Sequence, residues 1–109
     1  MAEYYDRQGR PMELMEWAKL HEDPENRMSY KRIAETTLPN GRWVSTVWLG
    51  IDHSFGGGPP LIFETMVFDT KETMKEEDCD RYSTEAEAIA GHARMCEKWL
   101  VETPEEVEP

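Results

Sequence analysis

Asn40-Gly41 lies between two runs rich in β-branched and aromatic residues, MSYKRIAETTLP before it and RWVSTVWLGI after it. An Asn-Gly pair so placed is the strongest short-range hairpin signal, because both residues accept the positive φ that a two-residue turn needs. If those two residues form the turn, Pro39 faces Arg42, Leu38 faces Trp43, Ala34 faces Val47 and Tyr30 faces Ile51. Pro39 donates no N–H, which makes the turn end the weakest part of this ladder. A third run, LIFETMVFD from Leu61 to Asp69, has the same β-rich character. Three antiparallel strands in chain order make a meander.

Helical patterns flank these strands. Over residues 12 to 22, Leu14, Trp17, Ala18 and His21 fall on one stripe, and Pro24 stops the run. Pro11 suits a first helical turn. The second helix follows Ser83 and Thr84, where Thr84 and Glu87 have capping-box spacing. Its apolar side carries Ala86, Ile89, Ala93, Cys96 and Leu100, with Ala88, His92, Met95 and Trp99 alongside. Gly91 in mid-helix costs about 1 kcal/mol relative to alanine, so a neighbour is expected to pack closely against it. Residues 70 to 81 show no apolar periodicity and read as a long polar loop.

The expected fold is therefore α+β: a three- to four-stranded antiparallel meander with two helices on one face, in the order helix, three strands, helix. A fourth strand comes from Glu3 to Arg7, ahead of a turn at Gln8-Gly9. Residues 1–101 are expected to form one domain and residues 102–109 a disordered acidic tail. No apolar run reaches the roughly 20 residues of a membrane span, and the amino terminus has no signal-peptide character. Cys79 and Cys96 do not make a disulfide framework and are expected as free thiols in a reducing cytoplasm.

Alternation along the strands divides their side chains between two faces. With Leu49 placed opposite Phe63, one face carries Tyr30, Ala34, Leu38, Trp43, Val47, Leu49, Ile51, Leu61, Phe63 and Val67, and the helices should cover it. The other carries Lys31, Ile33, Glu35, Val44, Thr46, Trp48, Ile62, Glu64, Met66 and Phe68. That is too apolar for a solvated face, so it marks either a contact surface or a place covered by the amino-terminal Tyr4-Tyr5 segment.

Charge narrows the partners. The chain has 23 acidic against 12 basic residues, a formal net charge of −11, whereas nonspecific nucleic-acid affinity comes from Lys and Arg on phosphates. Double-stranded-RNA-binding domains share the expected element order, but the last helix opens on STEAEAIAG with no basic cluster, which argues against direct RNA binding. The acidity serves solubility, or an acidic face that imitates nucleic acid.

Candidate chemistry is sparse. The linker DHSFGGGPP, residues 52 to 60, is followed by a strand and two prolines, not by the helix N-terminus that a phosphate cradle uses. It reads as a stiffened turn with His53 and Phe55 at its tip, a protein-recognition loop rather than an anion site. Asp52-His53-Ser54 lacks the convergence from separate elements that a triad needs. Glu64, set in an apolar strand, is a candidate acid-base group. His92 and Cys96, spaced i, i+4, are a candidate metal pair, although no Cys-x-x-Cys or His-Glu-x-x-His supports them. No catalytic residue, metal or cofactor is assigned. The expected binding residues are Trp48, His53, Phe55, Glu64, Met66 and Phe68; the alternative is a small metal-dependent or acid-base enzyme using His53, Glu64 and His92.

The stretches YYDRQGRPM, VSTVWLGIDHSFGGGPPLIFETMVF and YSTEAEAIAGH resemble a group of small proteins encoded by bacteriophages and prophages. DCDRYSTEAEA fits the group as well, while KETMKEED looks peculiar to this chain. The resemblance carries over no catalytic residues. It implies a bacterial host cytoplasm and an accessory role. The expected function is non-enzymatic binding of a host or phage protein, as a homodimer or as an antagonist of a host defence or nucleic-acid-handling factor, with no membrane and no direct nucleic-acid contact.

Overall fold

The computed structural model describes residues 3–24, 27–52 and 57–100. A short hairpin pairs β1 (Tyr4–Tyr5) with β2 (Pro11–Met12). Helix α1 (Leu14–Glu22) and helix α2 (Arg27–Lys31) follow. A four-stranded antiparallel sheet then runs in sequence order through β3 (Arg32–Thr37), β4 (Trp43–Trp48), β5 (Phe63–Phe68) and β6 (Glu76–Tyr82). Helix α3 (Glu85–Trp99) packs across all four strands. The α+β meander with helices packed on the sheet is the expected one, with β6 as a fourth strand of the sheet, a separate β1–β2 hairpin, and one more helix than the central pattern foresaw.

The hairpin turn differs by one residue. Gly41 N–H donates to the Leu38 carbonyl and Leu38 N–H donates to the Arg42 carbonyl, so Thr37, not Leu38, lies opposite Trp43. The cause is Pro39. Its fixed φ suits the first central position of an ordinary β-turn, and Gly41, at φ +93°, supplies the left-handed residue that returns the chain to the ladder. Ala34 consequently pairs with Thr46, and a bulge between Arg32 and Ala34 shifts the ladder again, putting Arg32 opposite Val47. Trp48, rather than Leu49, faces Phe63.

Each shift is one residue, and one residue turns a strand over. Because β4 is displaced against both neighbours, β3 from Ala34 onward and β5 over Phe63–Phe68 keep their expected sides and β4 does not. Ile33, at the bulge, and Ile62, just ahead of β5, are expected on the open face but instead pack into the core with Trp48 and Phe63. The helix-covered face holds Val44, Thr46 and Trp48 beside Phe63, Thr65 and Val67, all completely buried. Trp43, Ser45 and Val47 point the other way, with Glu64, Met66 and Phe68. Tyr30 does not face Ile51: it lies in α2, and Ile51 bridges to Tyr4.

Three further differences have local causes. Pro11 enters β2, and α1 begins at Leu14 with a capping box between Glu13 and Glu16. Trp17 and His21 do turn inward, as an aromatic file with Tyr4 and Trp48, while Leu14 is 52% exposed. The segment expected as a polar loop contains β6, whose sequence EEDCDRY hides strand periodicity because it is a sheet edge, and charge on an edge discourages further pairing. The amino-terminal strand exists but pairs with β2, and its Tyr5 carbonyl accepts from Trp48 Nε1 at 2.9 Å.

Helix α3 follows expectation at its start: Thr84 and Glu87 form both bonds of the capping box. The close neighbour of Gly91 is the Tyr82 ring, which occupies the space a Cβ would need. Of the two apolar stripes, Ala88, His92 and Met95 face the sheet, whereas Ile89 is 55% exposed. The far end of the helix is pinned by charge. Arg42, paired with Glu77 at 2.6 Å, lies over the Trp99 ring, and Asp78 accepts from both Lys98 and Trp99 Nε1 at 2.8 Å. Burial pushes the Asp78 carboxyl up, but those two donors, with the Cys79 N–H and the Lys98 charge, together hold the group below its ordinary range.

Candidate functional site

Helix α3 covers one face of the sheet, and the aromatic centre of the opposite face is Trp43, with the end of α2 at its border. The Trp43 ring stacks on Phe68 at 5.4 Å, with Arg32 and Lys71 positioned over it at 5.8 and 5.5 Å. Glu35 Oε1 gathers the local donors: Arg32 Nη1 at 2.6 Å, Trp43 Nε1 at 3.0 Å and, more loosely, Lys71 Nζ at 3.9 Å. The hydrogen bond from Arg32 is the main reason the Glu35 carboxyl titrates below its ordinary range. Two cations against one carboxylate make this corner locally positive in an acidic chain. Beside it lies a shallow depression of about 600 Å³ lined by Met28, Ser29, Arg32, Glu35, Trp43 and Lys71.

Toward β6 the same face becomes polar. Glu64 pairs with Arg81 at 3.1 Å and accepts a weak hydrogen bond from Cys79 Sγ at 3.4 Å. Burial, reinforced by the Glu64 charge, pushes the Cys79 thiol up to about 11, which keeps it protonated and unreactive at neutral pH. Cys79 and Cys96 are both free.

The expected binding residues therefore separate. Glu64, Met66 and Phe68 share the open face, as foreseen. Trp48 does not: it is fully buried under Tyr5, Trp17 and Tyr30 and belongs to the core. Trp43 holds the surface position that the shifted register denies it. His53 and Phe55 lie outside the described residues, and of their linker the structure gives the two ends. Asp52 Oδ1 accepts from Leu61 N–H at 3.0 Å and closes the loop across its base.

The alternative enzymatic set does not assemble from its described members. Glu64 is on the open face and His92 is beneath α3, with the sheet between them, so no one substrate touches both. His92 and Cys96 share α3, but both imidazole nitrogens are occupied by threonine hydroxyls, Thr36 Oγ1 on Nε2 at 2.9 Å and Thr46 Oγ1 on Nδ1 at 2.7 Å. Among the described residues no group of three His, Cys, Asp or Glu side chains is placed to hold a metal ion.

Those hydroxyls belong to a feature the sequence pattern missed. Thr46 Oγ1 lies 2.5 Å from Thr65 Oγ1, and Tyr82 OH donates to Thr65 at 3.2 Å. One polar chain thus crosses all four strands below α3. Its strand members are cross-strand neighbours on the covered face, where threonine fits a strand but needs a partner for its hydroxyl. Correct strand register was the signal that could have found it.

Compared with protein-family models, curated proteins and solved structures, the chain finds no match in any of the three. No helix among the described residues is long and apolar enough to cross a membrane.

Proposed function

We propose that the chain is a non-enzymatic binding domain of phage accessory type, acting on a protein partner in the cytoplasm of a bacterial host through the open face of its sheet. One observation carries this reading: the face opposite α3 centres on a stacked Trp43-Phe68 pair with Met66 beside it, where a merely solvated face is polar. Tryptophan, methionine and arginine are the types enriched at protein interfaces, and Arg32 completes that set. A second copy of the chain is the partner to test first, because the same patch then serves both sides. An antagonist of a host nucleic-acid-handling or defence protein is the other form, supported by the net charge of −11.

The test compares Phe68→Asp on the open face with Ile89→Asp on the outer side of α3. Light scattering on each purified protein reads self-association, and affinity capture from host lysate reads other partners. Phe68→Asp should abolish the interaction at least tenfold more strongly than Ile89→Asp. If both variants bind as the wild type does, or if only Ile89→Asp loses binding, the open face is not the contact surface.

A further inference from the structure

We propose that His92 is a proton-gated latch: as a neutral imidazole carrying its proton on Nε2 it closes a one-way hydroxyl chain, and taking up a second proton releases α3 from the sheet.

The direction of the chain follows from counting protons. Tyr82 OH donates to Thr65 Oγ1. Thr65 then gives its own proton to Thr46, Thr46 gives its proton to His92 Nδ1, and His92 Nε2–H donates to Thr36. Every link has one donor and one acceptor. With the proton on Nδ1 instead, Thr46 must turn toward Thr65, which already accepts from Tyr82. The Thr65 hydroxyl proton is then left without its acceptor at a residue with no exposure. An orphaned buried donor of that kind is costly.

Protonated His92 creates the same conflict. Nδ1 takes one proton from solvent, both ring nitrogens become donors, and the Thr46–Thr65 link has to reverse. A positive charge is also placed beneath the helix, where His92 is 7% exposed. Among the described residues no carboxylate is paired with the ring to offset it. From β3 and β4 the ring meets Thr36 and Thr46, from β5 it meets Thr65 through Thr46, and β6 contributes Tyr82 at the end of the chain. The carboxylates on the same side of β6 are engaged elsewhere, Asp78 with Lys98 and Trp99, Asp80 with the Arg81 N–H. Burial accordingly shifts the imidazole below its ordinary value.

The sign of the linkage is then determined. An opened helix exposes His92, which binds a proton below about pH 6.5, while the docked helix does not. Docking is therefore at full strength above that pH and weakens as the pH falls from there toward the folded-state value. Undocking would uncover Val44 and Val67, the apolar strip that Met95 now seals.

Two measurements test the latch in the intact protein. Side-chain ¹⁵N NMR at pH 7.5 should give His92 as the Nε2–H tautomer. Amide hydrogen exchange, corrected for intrinsic rates, should show the protection of α3 falling about tenfold more than that of β4 between pH 7.5 and 5.5. In His92→Gln, whose amide donates and accepts at all these pH values, the difference should vanish. An Nδ1–H tautomer, an equal loss of protection in α3 and β4, or the same pH response in His92→Gln would each overturn the proposal. If His92→Gln does not fold, the first two readings decide it alone.

Discussion

The two tryptophans at the ends of β4 sit on opposite faces of one sheet and are held in different ways. Trp48 is closed in by the fold itself: Tyr5, Trp17 and Tyr30 surround it and the Tyr5 carbonyl takes its N–H. Trp43, at 8% exposure nearly as hidden, is covered by the charged ends of Arg32 and Lys71 and by the stacked ring of Phe68. Both cations hold their charged groups against the ring, and Arg32 is anchored there by Glu35. Low exposure therefore has two meanings in this molecule. Under α1 and α2 it describes a core; on the open face it describes a ring covered by neighbouring side chains of the same face.

Truncating each ring separates these meanings. Trp48→Ala should cost about 4 kcal/mol in a urea unfolding experiment, near the upper end for a large aromatic removed from a core. Trp43→Ala should cost roughly half as much, because flexible neighbours can close over the gap. Equal losses would mean that the open face is as rigid as the covered one. That result would weaken its claim to be a contact surface.

Gly91 tests the covered side from the helix. Gly91→Ala gains about 1 kcal/mol in helix propensity but drives a methyl group into the Tyr82 ring. That ring is buried and tied to Thr65, so it cannot swing away without breaking the hydroxyl chain. The net expectation is a destabilisation of about 1–2 kcal/mol, from overpacking that exceeds the propensity gain. A more stable variant by thermal melting would show that Tyr82 and the chain beneath it yield easily.

How much of this was legible in the sequence depended on where the decisive information is local. The capping box at Thr84 and the tight contact at Gly91 both follow from residues within one helix. The α+β class follows from the order of the patterns, and so does the meander. The side on which each β4 residue points does not, because it depends on how Pro39 shapes the turn three residues before the strand. A two-residue turn on Asn40-Gly41 would leave Pro39 outside it, whereas the fixed φ of Pro39 suits the first central position of the turn Leu38–Gly41. That one-residue displacement against β3, matched by another against β5, puts Trp43 instead of Trp48 on the open face. β6 was illegible for another reason: as a protected edge it carries the charges of a loop. The hydroxyl chain was out of reach because Thr36, Thr46, Thr65 and His92 come together only once three strands and a helix are in register.

The smallest expected effect is also the most local probe of the open face. Glu64 and Arg81 form a pair whose arginine is 40% exposed, and such pairs contribute at most about 1 kcal/mol. Glu64→Gln should therefore leave the unfolding midpoint almost unchanged. It should still alter Cys79, whose thiol is held high first by burial and then by the Glu64 charge and hydrogen bond. Removing the charge leaves the burial, so the thiol moves only part of the way back. In a Cys96→Ser background, the rate of alkylation at pH 8.5 should rise, because a thiol held less high is more often the reactive thiolate. A much larger increase would mean that Glu64 had been anchoring β6 itself, and that this end of the face opens when the pair is lost. An unchanged rate would leave burial as the sole control on Cys79, and would make the polar end of the open face as closed as the core around Trp48.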